Sequence, residues 1–276
     1  MAAGFALAAV GAASAGTAGV SSAGAADIPL ATYRAVHDFV LDPDSSEAGV
    51  GEMTGRMVTE FKGSSCSAYN TTTRFVTIGT DSNDQPDVID TRNITVEKAD
   101  GSFTFDNETY ENGKQTEVAK GVAMRATSVV QVRLKAPDRK TFEIPSAVLF
   151  PTEQTERALQ AARAGQTFLA FDTYDGLDDG TTVSPATLAI GPPSKDPSDV
   201  GDESPIADAG FATMTHWPIT VSYFDSDAPA DQTPDYVMSA LMYDNGILRR
   251  LKLNYGTFTL TGRMTQLTML SGPPCP

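Results

Sequence analysis

Residues 235–268 read DYVMSALMYDNGILRRLKLNYGTFTLTGRMTQLT, and the fold class turns on them. Asn245-Gly246 supplies the positive-φ positions of a tight hairpin turn, and Tyr255-Gly256 marks the next turn. Three strand candidates follow, 235–243, 247–254 and 257–268, each antiparallel to its neighbour. The same grammar holds at the other end of the chain. Tyr33, Ala35, His37, Phe39 and Leu41 alternate with Arg34, Val36, Asp38 and Val40, the period of two of a strand with one buried face. Between them lie further candidates at 55–62, 67–78, 87–98, 102–110, 117–125, 128–135, 140–144, 166–172, 182–190 and 218–225, punctuated by Asp100-Gly101 and Asn112-Gly113. Spacing this short predicts successive antiparallel pairing, in a sandwich or a barrel.

One helix interrupts the strands. Pro151-Thr152-Glu153-Gln154 opens it, with Thr152 as expected N-cap and Glu153 at the positive end of the helix dipole. Ala158, Leu159, Ala161 and Ala162 form an apolar stripe, and Arg163 followed by Gly165 closes it. Such a helix is expected to plug or buttress a barrel. Residues 191–205 are polar and Pro-rich and predict a surface loop. Strands continue on both sides of it, so residues 27–276 are expected to form a single domain.

Composition narrows the function classes. The 276 residues carry 35 acidic and 20 basic side chains, a formal charge of −15. That balance excludes a nucleic-acid partner, which needs clustered Lys and Arg, and it opposes attachment to an anionic membrane face. Of the acids, 13 lie between Asp172 and Asp235 against one base, Lys195, so this window holds −12 of the charge. One side of the fold is therefore expected to be repelled by anionic headgroups, leaving the near-neutral strands to face any partner.

Residues 1–26 contain no charged side chain and end in Ala23-Gly24-Ala25-Ala26, the small-residue pattern of a cleavage site. A cleaved signal peptide is expected, although no Lys or Arg precedes the apolar run, as a start codon placed too late would produce. The run is too weak to span a membrane, so export without a transmembrane segment follows. An exported chain with exactly two cysteines, Cys66 and Cys275, is expected to join them. The competing reading is a reactive Cys66 thiol activated by a histidine.

A search for chemistry returns negatives. No G-x-S-x-G elbow, P-loop, dinucleotide fingerprint or H-E-x-x-H motif occurs. A hydrolase would need His37 or His216 as its base. His37 shares a strand face with Tyr33, Phe39 and Leu41, which predicts a half-buried, hydrogen-bonded ring; His216 precedes Trp217-Pro218 and predicts a hydrogen-bonding residue at a strand entrance. Asp172, Asp175, Asp178 and Asp179 suggest calcium, but Leu177 occupies a ligand position of an EF-hand loop and no glutamate closes it. A solvated Asp/Gly turn is the expectation. Asn70-Thr71-Thr72, Asn93-Ile94-Thr95 and Asn107-Glu108-Thr109 fit a glycosylation sequon, as Thr-rich strands do by chance. No catalytic residue, cofactor or metal is expected.

Several segments together carry a resemblance: YRAVHDFVL (33–41), GRMVTEFKGSSCSAYNTTTRFV (55–76), LFPTEQTERALQAARAGQTFLAFDTYDG (149–176), WPITVSYFD (217–225) and YDNGILRRLKLNYGTFTLTGRMTQL (243–267). Their order resembles the cell envelope integrity EipB family, periplasmic proteins of alphaproteobacteria, over nearly all of 28–276. The resemblance implies an all-β fold, a large antiparallel, broken, spiral-like β barrel with one short helix, and a role in keeping the envelope intact. It implies a disulfide between Cys66 and Cys275 and carries over no catalytic residue. The expectation is a soluble periplasmic, non-enzymatic protein that binds an envelope protein, lipid or polysaccharide component. A carrier of lipid or lipoprotein acyl chains is the alternative, and a hydrolase of envelope polymers comes third.

Overall fold

Alternation of apolar and polar residues over short runs, with Gly-containing turns between them, leaves each segment one face to bury, and burying it means pairing with the next run. The computed structural model describes residues 29–45, 51–80, 85–201, 203–226, 232–272 and Cys275; the expected signal peptide, 1–26, lies outside the described residues. Fourteen strands form one antiparallel sheet: β1 (Tyr33–Leu41), β2 (Thr54–Gly63), β3 (Ala68–Thr80), β4 (Pro86–Lys98), β5 (Ser102–Glu111), β6 (Lys114–Arg125), β7 (Val129–Ala136), β8 (Lys140–Pro145), β9 (Phe168–Thr173), β10 (Ser184–Ile190), β11 (His216–Tyr223), β12 (Tyr236–Tyr243), β13 (Leu248–Asn254) and β14 (Thr259–Met269). Every strand anticipated from the sequence is present.

The order across the sheet is β8-β7-β6-β5-β4-β3-β2-β1-β14-β13-β12-β11-β10-β9. The chain is thus a meander whose first and last strands pair, Tyr33 with Met269 through to Leu41 with Leu260. The free edges are β8 and β9, which are consecutive in sequence. Between them the sheet is not closed: one isolated parallel bridge, Leu149 to Thr173, links the two edge segments. The connection that crosses this break contains the long helix, α1 (Pro151–Arg163). The result is a broken barrel.

Close packing across the strands is visible at Gly262, which pairs with Phe39 of β1. A Cβ at this position would collide with the Phe39 ring, so glycine lets the ring lie flat over β14. The largest core cluster joins Phe39, Leu188, Trp217, Ile219, Leu251, Leu253 and Leu260 to Ala158, Leu159, Ala161 and Ala162 of α1. A second cluster surrounds Phe103, Phe105, Phe150 and Tyr174, with Phe103 and Phe150 stacked at 4.8 Å.

The start of α1 differs from the expectation. Thr152 is not the N-cap; Phe150 is, in extended backbone at φ −81 and ψ 163. Pro151 is the reason, because a proline pre-sets the first helical position and forces the preceding residue to be extended. Phe150 has no side-chain acceptor, so Glu153 supplies the capping contact from inside, accepting from the Phe150 N–H at 2.9 Å while pairing with Arg125 at 2.6 Å.

Residues 191–205 are exposed over most of their length, as expected of a surface loop, but they are anchored to the barrel. Ser194 forms a bridge with His216, and a short second helix, α2 (Ser204–Asp208), follows. Ile206 of α2 is fully buried with Ala35, Tyr243, Ile247 and Met264. Just before it, Glu203 is 1% exposed and Arg249 is wholly buried. The Arg249 guanidinium donates to Glu203 at 2.6 Å and to the Val200 carbonyl at 3.2 Å. The other Glu203 oxygen accepts from the backbone N–H groups of Met264 at 2.7 Å and Arg250 at 3.4 Å. Arg250 adopts a left-handed φ of 50°, so β13 bends there, and the ladder with β14 is registered only from Leu251 onward. A carboxylate from a distant loop takes the place of ladder partners where two strands part.

Candidate functional site

The period of two that makes β3 to β6 strands also sets their inner face. Thr73 pairs with Asn93 and Asn93 with Asn107; Phe75 pairs with Thr91, Thr91 with Thr109 and Thr109 with Glu117. These two cross-strand rows form a wall of hydroxyls and amides. Asn93 donates to Asn107 at 3.1 Å, and Asn107 donates to the Gly176 carbonyl at 2.7 Å, which ties the wall to the turn after β9.

The facing wall is aromatic. Tyr223 of β11 pairs with Tyr236 of β12, and Tyr255 follows from the β13–β14 turn. Ring centroids run Tyr223 to Tyr236 at 5.7 Å, Tyr236 to Tyr255 at 5.0 Å and Tyr255 to Phe258 at 4.9 Å. Gln154 of α1 donates to the Tyr223 hydroxyl at 2.9 Å. Burial raises all three phenols, Tyr223 to about 12 and Tyr236 well above 10, so they stay neutral hydrogen-bonding groups.

These walls, with Met57, enclose one cavity of about 590 Å³, a volume in the range of small-molecule sites. Four strands separate β3 from β12 in the sheet order, so the two walls meet only because the sheet curls. Asp175, Leu177 and Asp178 form part of the rim. In the expected Asp/Gly turn Asp172, Asp178 and Asp179 are exposed, as predicted, and Asp175 is half-buried; burial raises the carboxyls of Asp175 and Asp178, with Glu117 adding to the effect at Asp178. Among the described residues lining the cavity there is no Lys, Arg or His. No group of three or more His, Cys, Asp or Glu suited to a metal occurs among the described residues.

Of the acids in the 172–235 window, Glu203 is buried on Arg249, Asp199 is held by Ser194 and His216, and Asp175 lines the cavity, while Asp172, Asp178, Asp179, Asp196, Asp208, Asp225 and Asp235 are exposed.

Neither histidine faces the cavity. His37 is 4% exposed, and among the described residues neither ring nitrogen has a hydrogen-bond partner, so the expected half-buried, hydrogen-bonded ring is corrected to a buried, unpartnered one. Burial is the largest influence on it and lowers its pKa, against smaller opposing effects of Glu203 and the Leu248 backbone. His216 is 1% exposed; Nδ1 donates to the Met214 carbonyl at 3.0 Å and Nε2 lies 3.1 Å from Asp199. Ser194 donates to that same Asp199 at 2.6 Å. A triad needs the hydroxyl on the imidazole, so the histidine versions of the hydrolase reading fail. Cys66 and Cys275 are joined in a disulfide with Cα atoms 5.6 Å apart, which removes the reactive-thiol reading.

A second cavity, of about 470 Å³, lies beside the disulfide and the start of α1, lined among others by Cys66, Tyr69, Glu97, Phe150 and Thr152. Glu97 is 8% exposed and accepts from the Thr152 N–H at 2.7 Å. Burial outweighs that hydrogen bond and raises its carboxyl from 4.5 to about 7. A raised acid contributes its stability below pH 4.5 and loses it as pH climbs through 7. The Glu97→Gln variant keeps an acceptor for Thr152 without ionising. Its melting temperature, relative to the original protein, is expected to rise between pH 5 and pH 8, by the equivalent of roughly 3 kcal/mol in stability. A pH-independent difference between the two melts would contradict this.

No binding motif in the sequence singles out the inner-face residues Thr91, Asn93, Asn107 and Thr109. The available signal was their phase: polar residues at alternate positions on neighbouring strands face the interior together.

The chain is similar to known proteins in sequence and in fold. A model of the EipB-like family matches residues 24–271. The cell envelope integrity protein EipB of Brucella abortus (strain 2308) is 35% identical over 255 residues, covering 92% of this chain and 89% of that protein. A crystal structure of a β-barrel-like protein of a domain of unknown function from Brucella abortus superposes with a TM-score of 0.79 at 31% identity, covering 88% of this chain and 100% of that one.

Proposed function

This chain belongs to the EipB-like family, and from that premise we propose that it is an exported, non-enzymatic protein of the periplasm that maintains cell envelope integrity by holding an envelope component in its curled sheet. The single observation that carries the reading is the cavity of about 590 Å³ between the Thr/Asn wall and the tyrosine wall, with neither histidine facing it. The name of the Brucella relative supports the role. A leader over residues 1–26, removed after export, and a single domain over 27–276 belong to the same proposal. No helix among the described residues is long and apolar enough to cross a membrane.

The test is a deletion strain exposed to detergents and cell-wall antibiotics. The original gene is expected to restore resistance, and a Tyr236→Ala, Tyr255→Ala variant that is exported at normal level is expected not to. Full rescue by that variant would refute a role for the cavity. Mass spectrometry of gently purified protein separates this reading from the acyl-chain carrier: a lipid recurring across preparations favours the carrier, and an empty cavity favours a ligand of another class.

A further inference from the structure

We propose that the ligand of the large cavity is an uncharged oligosaccharide lying along the tyrosine wall and hydrogen-bonded by the Thr/Asn wall; the proposal rests on the reading of this cavity as the binding site. Three features of the lining carry it together. Tyr223, Tyr236 and Tyr255 pack ring against ring at 5.7 and 5.0 Å and form a continuous aromatic ladder rather than a cage around a point. A ladder of tyrosines offers apolar ring edges beside neutral hydroxyls, a mixed surface that the alternating C–H and hydroxyl groups of successive sugar rings can match.

The opposite wall is built of groups that both donate and accept. Sugar hydroxyls also do both, so each can be satisfied by threonine hydroxyls and asparagine amides. Thr91, at the centre of this wall, makes no side-chain hydrogen bond among the described residues. An acyl chain laid here would strip water from these groups and replace it with nothing, at roughly 1–3 kcal/mol for each polar group left unsatisfied. The apolar interior next to α1, lined by Ala158, Leu188 and Met242, leaves only about 110 Å³, room for a few methylene groups.

Charge narrows the class further. Glu117, Asp175 and Asp178 line the cavity and no cationic side chain does. A phosphate, a fatty carboxylate or an acidic sugar would meet uncompensated negative charge in a partly desolvated space. Carboxylates instead accept strongly from neutral hydroxyl donors.

The experiment is calorimetric titration of the exported, disulfide-bonded protein with chitotetraose and with maltotetraose. Saturable one-to-one binding of at least one is expected. Tyr255→Ala removes one rung of the ladder at a turn and is expected to weaken it at least tenfold. Thr91→Val keeps volume and strand preference and is expected to weaken it at least threefold, both with unchanged melting temperature. Absence of binding by either sugar, or binding at full affinity in both variants, overturns the proposal. Two further probes separate that failure from failure of the site itself. If spermidine or the apolar dye N-phenyl-1-naphthylamine binds the original protein and not the variants, the cavity is the site and the ligand class is wrong. If no probe binds and both variants rescue the deletion strain, the cavity is not the functional site.

Discussion

Replacing Glu203 by alanine is expected to lower the melting temperature by roughly 6–20 °C, because breaking a buried ion pair costs about 3–5 kcal/mol and a protein of this size shifts by about 2–4 °C per kcal/mol. The reason lies in what the carboxylate touches. It neutralises Arg249, which has no exposed surface, and it satisfies the backbone N–H groups of Met264 and Arg250 where β13 and β14 part. Alanine would leave a buried guanidinium with the Asp199 and Val200 carbonyls and the Tyr243 hydroxyl, the last at 2.9 Å, but no counter-charge. The double variant Glu203→Leu, Arg249→Met removes both charges and is expected to regain at least half of the loss, since an apolar replacement of a whole buried pair is often close to neutral. A Glu203→Ala melt within 2 °C of the original would show that the loop, not the carboxylate, holds α2 on the barrel.

The second large effect concerns the disulfide. Cys66→Ser is expected to lower the melting temperature in oxidising buffer by as much as reductant lowers that of the original protein, and reductant should then do nothing further to the variant. The bridge closes a loop with a sequence separation of 209, for which the chain-entropy argument gives an upper value of about 5 kcal/mol. It joins the β2–β3 turn to the segment after β14, beside the pair of contacts in which Thr32 donates to the Leu270 carbonyl at 2.5 Å and Leu270 donates back to Thr32 at 2.9 Å. Without the bridge the tail loses its covalent tie, and fraying there opens the cavity lined by Cys66, Glu97 and Thr152. A melt insensitive to reductant, with two free thiols by mass, would contradict the bridge.

The strands and α1 were legible because each is written in local terms. Period-two alternation, Asn-Gly turns and an alanine-leucine stripe depend only on neighbours a few residues away. Even the true N-cap had a local signal, since Pro151 places the helix start one residue after Phe150. The α2 plug had none. Its five residues are too short for a helical period, and Pro205 with flanking acids reads as loop. What makes it structural is Ile206 meeting Ala35 and Met264, residues from opposite ends of the chain. Nor does the sequence distinguish Glu203 from the dozen other acids in its window; only its contact with Arg249 does.

The sequence by itself therefore determined an antiparallel, cysteine-bridged, strongly acidic chain of family-recognisable pattern, because strand period and turn chemistry act over a few residues. The tertiary structure alone decided that β1 pairs with β14, that the break falls between β8 and β9, and that the Thr/Asn rows of β3–β6 face the tyrosines of β11–β13. Curvature is the physical reason. It accumulates from small twists over many strands, so which walls meet across the interior is a property of the whole sheet and is written in no single segment.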